Sequence, residues 1–153
     1  MLADGENLAA QAAALVSGQQ DIIANAANLS SFLFYALEEV NWVGFYFLRG
    51  SELIVGPFQG RPACVSIPMG KGVCGTAAET QKVLRVADVH AFEGHIACDV
   101  DSRSEIVLPL VRNGELIGVL DLDSPVKNRF DEKDERLLQK IADIFICSLA
   151  ERT

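Results

Sequence analysis

Hydrophobic residues recur along this chain with two different spacings, and the spacing separates helices from strands. Residues 8–16 and 21–39 carry apolar side chains every three or four positions, which predicts two N-terminal helices. A last helix is predicted to begin after Asp131, because aspartate caps helix N-termini well. Its apolar stripe consists of Leu137, Leu138, Ile141, Ile144, Phe145 and Leu149. Each stripe needs a partner layer to cover it.

Shorter apolar runs, rich in β-branched and aromatic residues, fill the middle of the chain and predict strands. The predicted strands are residues 42–48, 52–55, 64–67, 83–86, 106–111 and 116–122. Residues 49–51 form a tight turn, and Asn113-Gly114 is a strong hairpin signal because both residues tolerate positive φ. Residues 70–75 are rich in glycine and lead into a short helix that ends near Thr80, without the spacing of a phosphate-binding loop.

Tight turns favour an antiparallel sheet. We therefore predict an α+β fold with a central antiparallel sheet and the N- and C-terminal helices packed on one face. A chain of 153 residues suits one compact domain, so residues 1–153 are expected to form a single unit.

Composition narrows the classes of partner. Half of the residues are hydrophobic, which is enough for a core, and the formal net charge is −8. A negative chain disfavours nucleic acid and anionic membranes as partners but suits cationic or zwitterionic small ligands. The acidic start differs from a secretory signal, and apolar runs fall short of the roughly 20 residues of a membrane span. A cytoplasmic location is expected.

The four cysteines are Cys64, Cys74, Cys98 and Cys147. None forms a CxxC pair and the chain has only two histidines, which disfavours a structural zinc site. A cytosolic domain of this size does not need disulfides for stability. Each cysteine is therefore either an inert core residue or redox-active, and the inert interpretation suits Cys147, at the edge of the last helical stripe.

Residues 87–103 have no clear period, and a loop of this length inside a compact domain is more often functional than not. The loop holds Cys98 and both histidines, His90 and His95. A lone loop histidine is more often a surface residue than a catalytic one, so the sequence leaves the role of both open.

Three carboxylates are predicted to meet at one end of the sheet. Asp121 and Asp123 lie on the same side of a strand, because strand side chains alternate. Glu105 begins the neighbouring antiparallel strand, so it should lie close to both. The group would face the loop that carries Cys98. Solvated strand ends are the alternative, since spacing alone indicates proximity but no chemistry.

Four segments carry a resemblance to a known family. They are residues 41–46, 70–75, 95–99 and 118–124, which read NWVGFY, GKGVCG, HIACD and GVLDLDS. Together they resemble the GAF-domain free methionine-(R)-sulfoxide reductases, over about residues 20 to 147. The resemblance implies a GAF-like fold and reduction of free methionine-(R)-sulfoxide, with no metal or organic cofactor.

The resemblance also implies roles for individual residues. Cys98 resembles the attacking cysteine and Cys64 the resolving one, so a disulfide must be able to bridge them. Cys74 resembles a third redox-linked thiol, and a second resolving role is open for it. Trp42 and Tyr46 resemble the aromatic wall around the substrate methyl group.

Glu105, Asp121 and Asp123 resemble the acids that hold the substrate ammonium, with Glu105 and Asp123 also assisting at the sulfoxide oxygen. The family implies thioredoxin as the reductant and admits a homodimer. Carboxylates near Cys98 would raise the pKa of its thiol. His95, Arg103 or a helix N-terminus could offset that effect.

Two other functions remain open on the sequence alone. One is a GAF sensor that binds a small ligand without turnover, and the other is a thiol switch in which Cys64 and Cys98 respond to oxidant. Substrate-dependent oxidation of reduced thioredoxin distinguishes all three.

Overall fold

The computed structural model describes residues 5–96, 98 and 100–150. The helices are α1 (Gly5–Val16), α2 (Ile22–Ala36), α3 (Gly72–Thr80) and α4 (Glu132–Ser148), with a 3₁₀ turn at Val89–Ala91. The strands are β1 (Trp42–Arg49), β2 (Glu52–Gly60), β3 (Ser66–Pro68), β4 (Leu84–Val86), β5 (Ser104–Arg112) and β6 (Glu115–Ser124). No helix in this described part of the chain is long and apolar enough to cross a bilayer.

The six strands form one antiparallel sheet in the order β3-β2-β1-β6-β5-β4, which confirms the predicted sheet. Asn113 and Gly114 both have positive φ, 51° and 81°, as a two-residue hairpin loop requires. The β5–β6 register shifts between Leu110 and Val111, so the two strands are offset by one residue beyond the hairpin.

The two faces of the sheet are covered differently. One face packs against α2 and α4, with α1 packed on these two helices, and its core includes Phe45 and Phe145, with ring centroids 4.7 Å apart. This arrangement confirms the prediction that the terminal helices share a face. Asp131 caps α4 as expected, since its side chain accepts from Asp134 N. The other face is covered by α3 and by the long loop that precedes β5.

Several predicted boundaries were wrong, and three of the differences are informative. Helix α2 ends at Ala36 rather than 39, because the backbone turns extended at Leu37, whose side chain still packs on the core. Strand β2 continues past residue 55 and includes Pro57. At that position β3 no longer pairs with β2, so the N–H group that proline lacks is not needed for a hydrogen bond between the strands. Strand β3 begins at Ser66 rather than 64, which leaves Cys64 in the connection between β2 and β3.

Candidate active site

The α3-covered face of the sheet places aromatic and acidic side chains side by side. In the pairing register Asp123 on β6 lies between Trp42 on β1 and Glu105 on β5. Asp121 lies two residues before Asp123 and therefore on the same face. Glu105 and Asp121 are buried and Asp123 is half-buried. The predicted proximity of the three acids is confirmed, and the solvated interpretation is wrong for the two buried ones.

Helix α3 and two loops close a cavity over these acids. Gly72 has a φ of +62°, and a Cβ on it would lie 3.2 Å from Ile96 of the long loop. A Cβ on Gly75 would lie 2.5 Å from the Pro68 carbonyl oxygen. The glycine-rich turn therefore lets α3 approach both neighbours. The cavity is lined by Trp42, Tyr46, Pro62, Ala63, Ile67, Lys71, Gly72, Val73, Cys74, His95, Ile96, Cys98, Ser102, Glu105, Asp121 and Asp123.

A disulfide bridges Cys64 and Cys98 at the wall of this cavity, with their Cα atoms 5.4 Å apart. The prediction that the two cysteines can be bridged is confirmed. The bond joins the β2–β3 connection to the long loop. An exposed ion pair between Arg61 and Asp101, 2.9 Å apart, joins the same two segments. Both half-buried sulfurs are thus held where the cavity meets the surface.

The aromatic wall is buried and anchored by its polar atoms. The rings of Trp42 and Tyr46 stack with centroids 5.8 Å apart, and Phe58 stacks on Trp42 at 5.3 Å. Trp42 Nε1 donates to the Arg61 carbonyl at 3.1 Å, and the Tyr46 hydroxyl donates to the Cys64 carbonyl at 3.2 Å. Both aromatics therefore hold the segment that contains Cys64.

The buried acids and the Cys74 thiol shift one another's pKa values. Burial raises the pKa of Glu105 well above its usual range, and the charges of Asp121 and Asp123 raise it further. Burial also raises the pKa of Asp121, but hydrogen bonding from Glu105 opposes that effect. The Cys74 thiol donates to Glu105 Oε2 at 3.8 Å, and burial raises the pKa of that thiol. The hydrogen bond between Glu105 and Asp121 raises the pKa of Glu105 and lowers that of Asp121, so the geometry favours the proton on Glu105.

The surroundings of Cys98 narrow the candidates for thiolate activation. Burial lowers the pKa of His95, with a further contribution from His90, so His95 is neutral at pH 7. The Arg103 residue is exposed, and its backbone N–H donates to the Ser124 carbonyl. The first turn of α3 lines the same cavity as Cys98, and no side chain caps it. Of the three expected groups, the helix N-terminus is the one that both lines the cavity and carries positive partial charge at pH 7.

Sequence reasoning missed several lining residues. Ser102 is buried in the cavity wall and its hydroxyl accepts from Asn41 Nδ2 at 3.4 Å. Ile96 and Lys71 also line the cavity. Ser102 and Ile96 lie in a loop without hydrophobic period, so no pattern indicated them. Cys147, interpreted as inert, is an exposed free thiol on α4 rather than a core residue.

The raised pKa of Glu105 predicts a pH-dependent stability. Its pKa is about 4.5 in the unfolded chain and higher in the folded one, so the native state binds the proton more tightly. The stability it contributes is present below that value and is lost as pH rises towards the folded pKa. In the wild type this fall in the free energy of unfolding can reach about 1.4 kcal/mol per pH unit. We expect Glu105→Gln to remove it. Denaturant unfolding of the disulfide form between about pH 5 and 7 measures it.

Glu115→Gln is the matched control for this stability series, because Glu115 is exposed at the hairpin end of the same sheet. It should follow the wild-type pH dependence. Parallel curves for wild type and Glu105→Gln would show that Glu105 is ionised in the folded protein.

Comparison with known proteins supports the family resemblance over most of the chain. A family model described as GAF domain matches residues 5–146. The free methionine-R-sulfoxide reductase of Escherichia coli (strain K12) is 52% identical over 128 residues, 84% of this chain and 78% of that protein.

Two solved structures superpose closely. The reduced form of fRMsr of Staphylococcus aureus has a TM-score of 0.93 and 50% identity, covering 96% of both chains. The free methionine-R-sulfoxide reductase of Neisseria meningitidis, solved in complex with its substrate, has a TM-score of 0.91 and 42% identity. That match covers 94% of this chain and 87% of the other.

Proposed function

The chain belongs to the GAF-domain free methionine-R-sulfoxide reductases, and we propose that its cavity reduces free methionine-(R)-sulfoxide to methionine, with Cys98 as the nucleophile. One observation carries the proposal most directly. The Cys64–Cys98 disulfide borders a cavity that also holds the buried acids Glu105 and Asp121. A redox-active thiol and a proton source are the two groups that sulfoxide reduction requires.

The cavity offers complementary groups to a zwitterionic substrate. The carboxylates of Asp121 and Asp123 attract the ammonium group, and Asp121 Oδ1 has no hydrogen-bond partner among the described residues. The uncapped first turn of α3 presents backbone N–H groups to the substrate carboxylate. The stacked rings of Trp42 and Tyr46 provide an apolar wall for the methyl group.

The reaction needs a nucleophile and an acid. The Cys98 thiolate attacks the sulfoxide sulfur while Glu105, the neutral member of the acid group, protonates the oxygen as the S–O bond breaks. The transient bond between the two sulfurs then breaks as the oxygen bonds to the Cys98 sulfur, so that Cys98 becomes a sulfenic acid and methionine leaves. The Cys64 thiol then condenses with the sulfenic acid, so that an S–S bond forms and water is released. The substrate is reduced by two electrons and the two cysteines are oxidised by two.

The assignment of Cys64 as the resolving cysteine is supported by its 5.4 Å Cα separation from Cys98, well inside the limit of about 7 Å for a disulfide. Cys74 is free and buried, and its thiol contacts Glu105. A second resolving role for Cys74 stays a prediction. Peptide mapping of the protein after one turnover, in wild type and in Cys64→Ser, measures which cysteine pairs with Cys98.

Recycling requires an external dithiol, and we propose thioredoxin, which exchanges its thiols for the Cys64–Cys98 disulfide. A thioredoxin-dependent enzyme operates in a reducing compartment, so the proposal includes a cytoplasmic location. The homodimer that the family resemblance admits stays a prediction.

Oxidation of reduced thioredoxin by the full chain tests the proposed function. We expect oxidation with free methionine-(R)-sulfoxide and little with the (S) epimer or a peptide-bound sulfoxide. Binding without oxidation would instead assign a ligand sensor. Oxidation of the cysteines by peroxide, with no dependence on methionine sulfoxide, would assign a thiol switch.

The ammonium subsite predicts a charge-dependent substrate preference. Asp123→Asn should lower kcat/KM on the free amino acid by roughly 10- to 150-fold, the equivalent of one charge-assisted hydrogen bond of about 1.5–3 kcal/mol. Steady-state kinetics with free and N-acetylated methionine sulfoxide measure the effect. Asp143→Asn is the control, since Asp143 is exposed on α4, which covers the other face of the sheet. Equal rates on both substrates in wild type would remove the ammonium-binding role of the acids.

A further inference from the structure

Three ligand-type side chains from three different elements converge beneath α3. The Cys74 sulfur and one carboxylate oxygen each from Glu105 and Asp121 lie within 4.8 Å of one another, and all three residues are buried. Cys74 is on α3, Glu105 on β5 and Asp121 on β6. The packing of the helix on the sheet assembles the group, so no motif in the sequence indicates it.

A second observation points to a cationic ligand at the same place. Asp121 is only 4% exposed, lines the cavity, and leaves Oδ1 without a hydrogen-bond partner in the part of the chain that the structure describes. A buried polar atom without a partner destabilises the folded state. A bound cation would satisfy this oxygen.

The donor set selects the kind of cation. Calcium and magnesium prefer oxygen ligands alone, whereas zinc accepts a thiolate together with carboxylates. Tetrahedral zinc with bonds of about 2.3 Å to sulfur and about 2.1 Å to oxygen places those ligands about 3.6 Å apart. The Cys74 sulfur lies 3.8 Å from Glu105 Oε2, so this pair needs to move only a few tenths of an ångström.

We propose that the disulfide form of this protein binds one zinc-class divalent cation through Cys74, Glu105 and Asp121. The cation site does not depend on the proposed reductase activity. Its consequence does rest on that activity, because a cation and a substrate ammonium cannot share the same carboxylates. A metal bound here therefore excludes an amino-acid ligand from the cavity and is not a cofactor.

Cobalt(II) is the spectroscopic probe, used with full-length protein in its disulfide form and without reductant. Cys64 and Cys98 are bridged in this form, so the free thiols are Cys74 and Cys147. We expect one cobalt ion per chain, a thiolate-to-cobalt charge-transfer band in the near ultraviolet, and loss of the band on adding zinc. Cys147→Ser should keep the band and Cys74→Ser should lose it.

Asp121→Asn tests the oxygen ligand. Changes outside the ligand shell already cost metal sites 10- to 100-fold in affinity, so loss of a ligand should weaken zinc binding by roughly tenfold or more. Asp143→Asn, an exposed change on α4, should leave zinc affinity unchanged. A band that disappears in Cys147→Ser, or the absence of any band in wild type, would overturn the site.

X-ray absorption of zinc bound to Cys147→Ser protein keeps the proposal testable if Cys74→Ser does not fold. One sulfur neighbour at about 2.3 Å can then come only from Cys74 and supports the site. A shell of oxygen and nitrogen alone overturns it. Free methionine should release cobalt from the wild type. Failure to do so would contradict the sharing of carboxylates between cation and amino acid, while a lack of turnover in the thioredoxin assay concerns the reductase alone.

Discussion

Replacing Cys98 with serine is expected to abolish reduction of free methionine-(R)-sulfoxide, with kcat/KM falling by at least about a thousandfold. Serine is close to cysteine in size, but its hydroxyl stays protonated and is a much weaker nucleophile than a thiolate. The loss should therefore be chemical, with the fold intact. The measurement is methionine formed per enzyme, with circular dichroism and thermal melting as checks on folding.

The control for this substitution is Cys147→Ser, which removes the exposed thiol on α4. It should retain wild-type turnover, because α4 covers the opposite face of the sheet from the cavity. Wild-type turnover in Cys98→Ser would mean that another thiol attacks the substrate, and the proposed mechanism would fail.

Glu105→Gln is expected to lower kcat by about 10²- to 10⁴-fold, the usual contribution of a positioned general acid. Glutamine preserves the shape and the hydrogen bonding of a neutral glutamic acid, but it cannot give a proton to the sulfoxide oxygen. KM should change much less than kcat if the neutral acid acts mainly in the transition state. Single-turnover kinetics at saturating substrate isolate this step from recycling.

The pH profile separates proton donation from a structural role for Glu105. Burial and neighbouring carboxylates raise its pKa, so the donor form persists above the usual range for glutamate and is lost as pH rises through the raised value. Wild-type kcat should fall over that interval, and Glu105→Gln should lack the fall. Glu115→Gln, exposed at the far end of β6, should match the wild type. A rise in KM alone in Glu105→Gln would assign it to binding.

Local patterns were enough for most of the elements. Apolar periodicity predicted the helices, and Asn113-Gly114 predicted the hairpin, because these signals depend on residues close together in the chain. Errors came where tertiary contacts override local preference. The strand predicted at 52–55 ends before Pro57, which lies in β2 beyond its pairing with β3, and before Phe58, which stacks on Trp42. The predicted strand was therefore too short to include Phe58, which packs against the aromatic wall of the cavity.

The proximity of the acids was predictable, but their shared face was not. Pairing counted directly from the hairpin would place Glu105 opposite Leu122, which belongs to the core beneath the helices. The irregularity between Leu110 and Val111 shifts the register by one residue and places Glu105 opposite Asp123. A one-residue shift moves every side chain to the other face, so this single offset assembles the acid group.

The family resemblance implied the pair of cysteines that a disulfide can join. The sequence by itself determined the helices, the antiparallel sheet and the family. These follow from short-range periodicity, from turn chemistry and from motifs whose residues are neighbours in the chain. Only the tertiary structure decided the protonation of Glu105, the neutral state of His95 and the contact of Cys74 with the acids. Burial and charge repulsion set these properties, and both depend on which distant segments pack together.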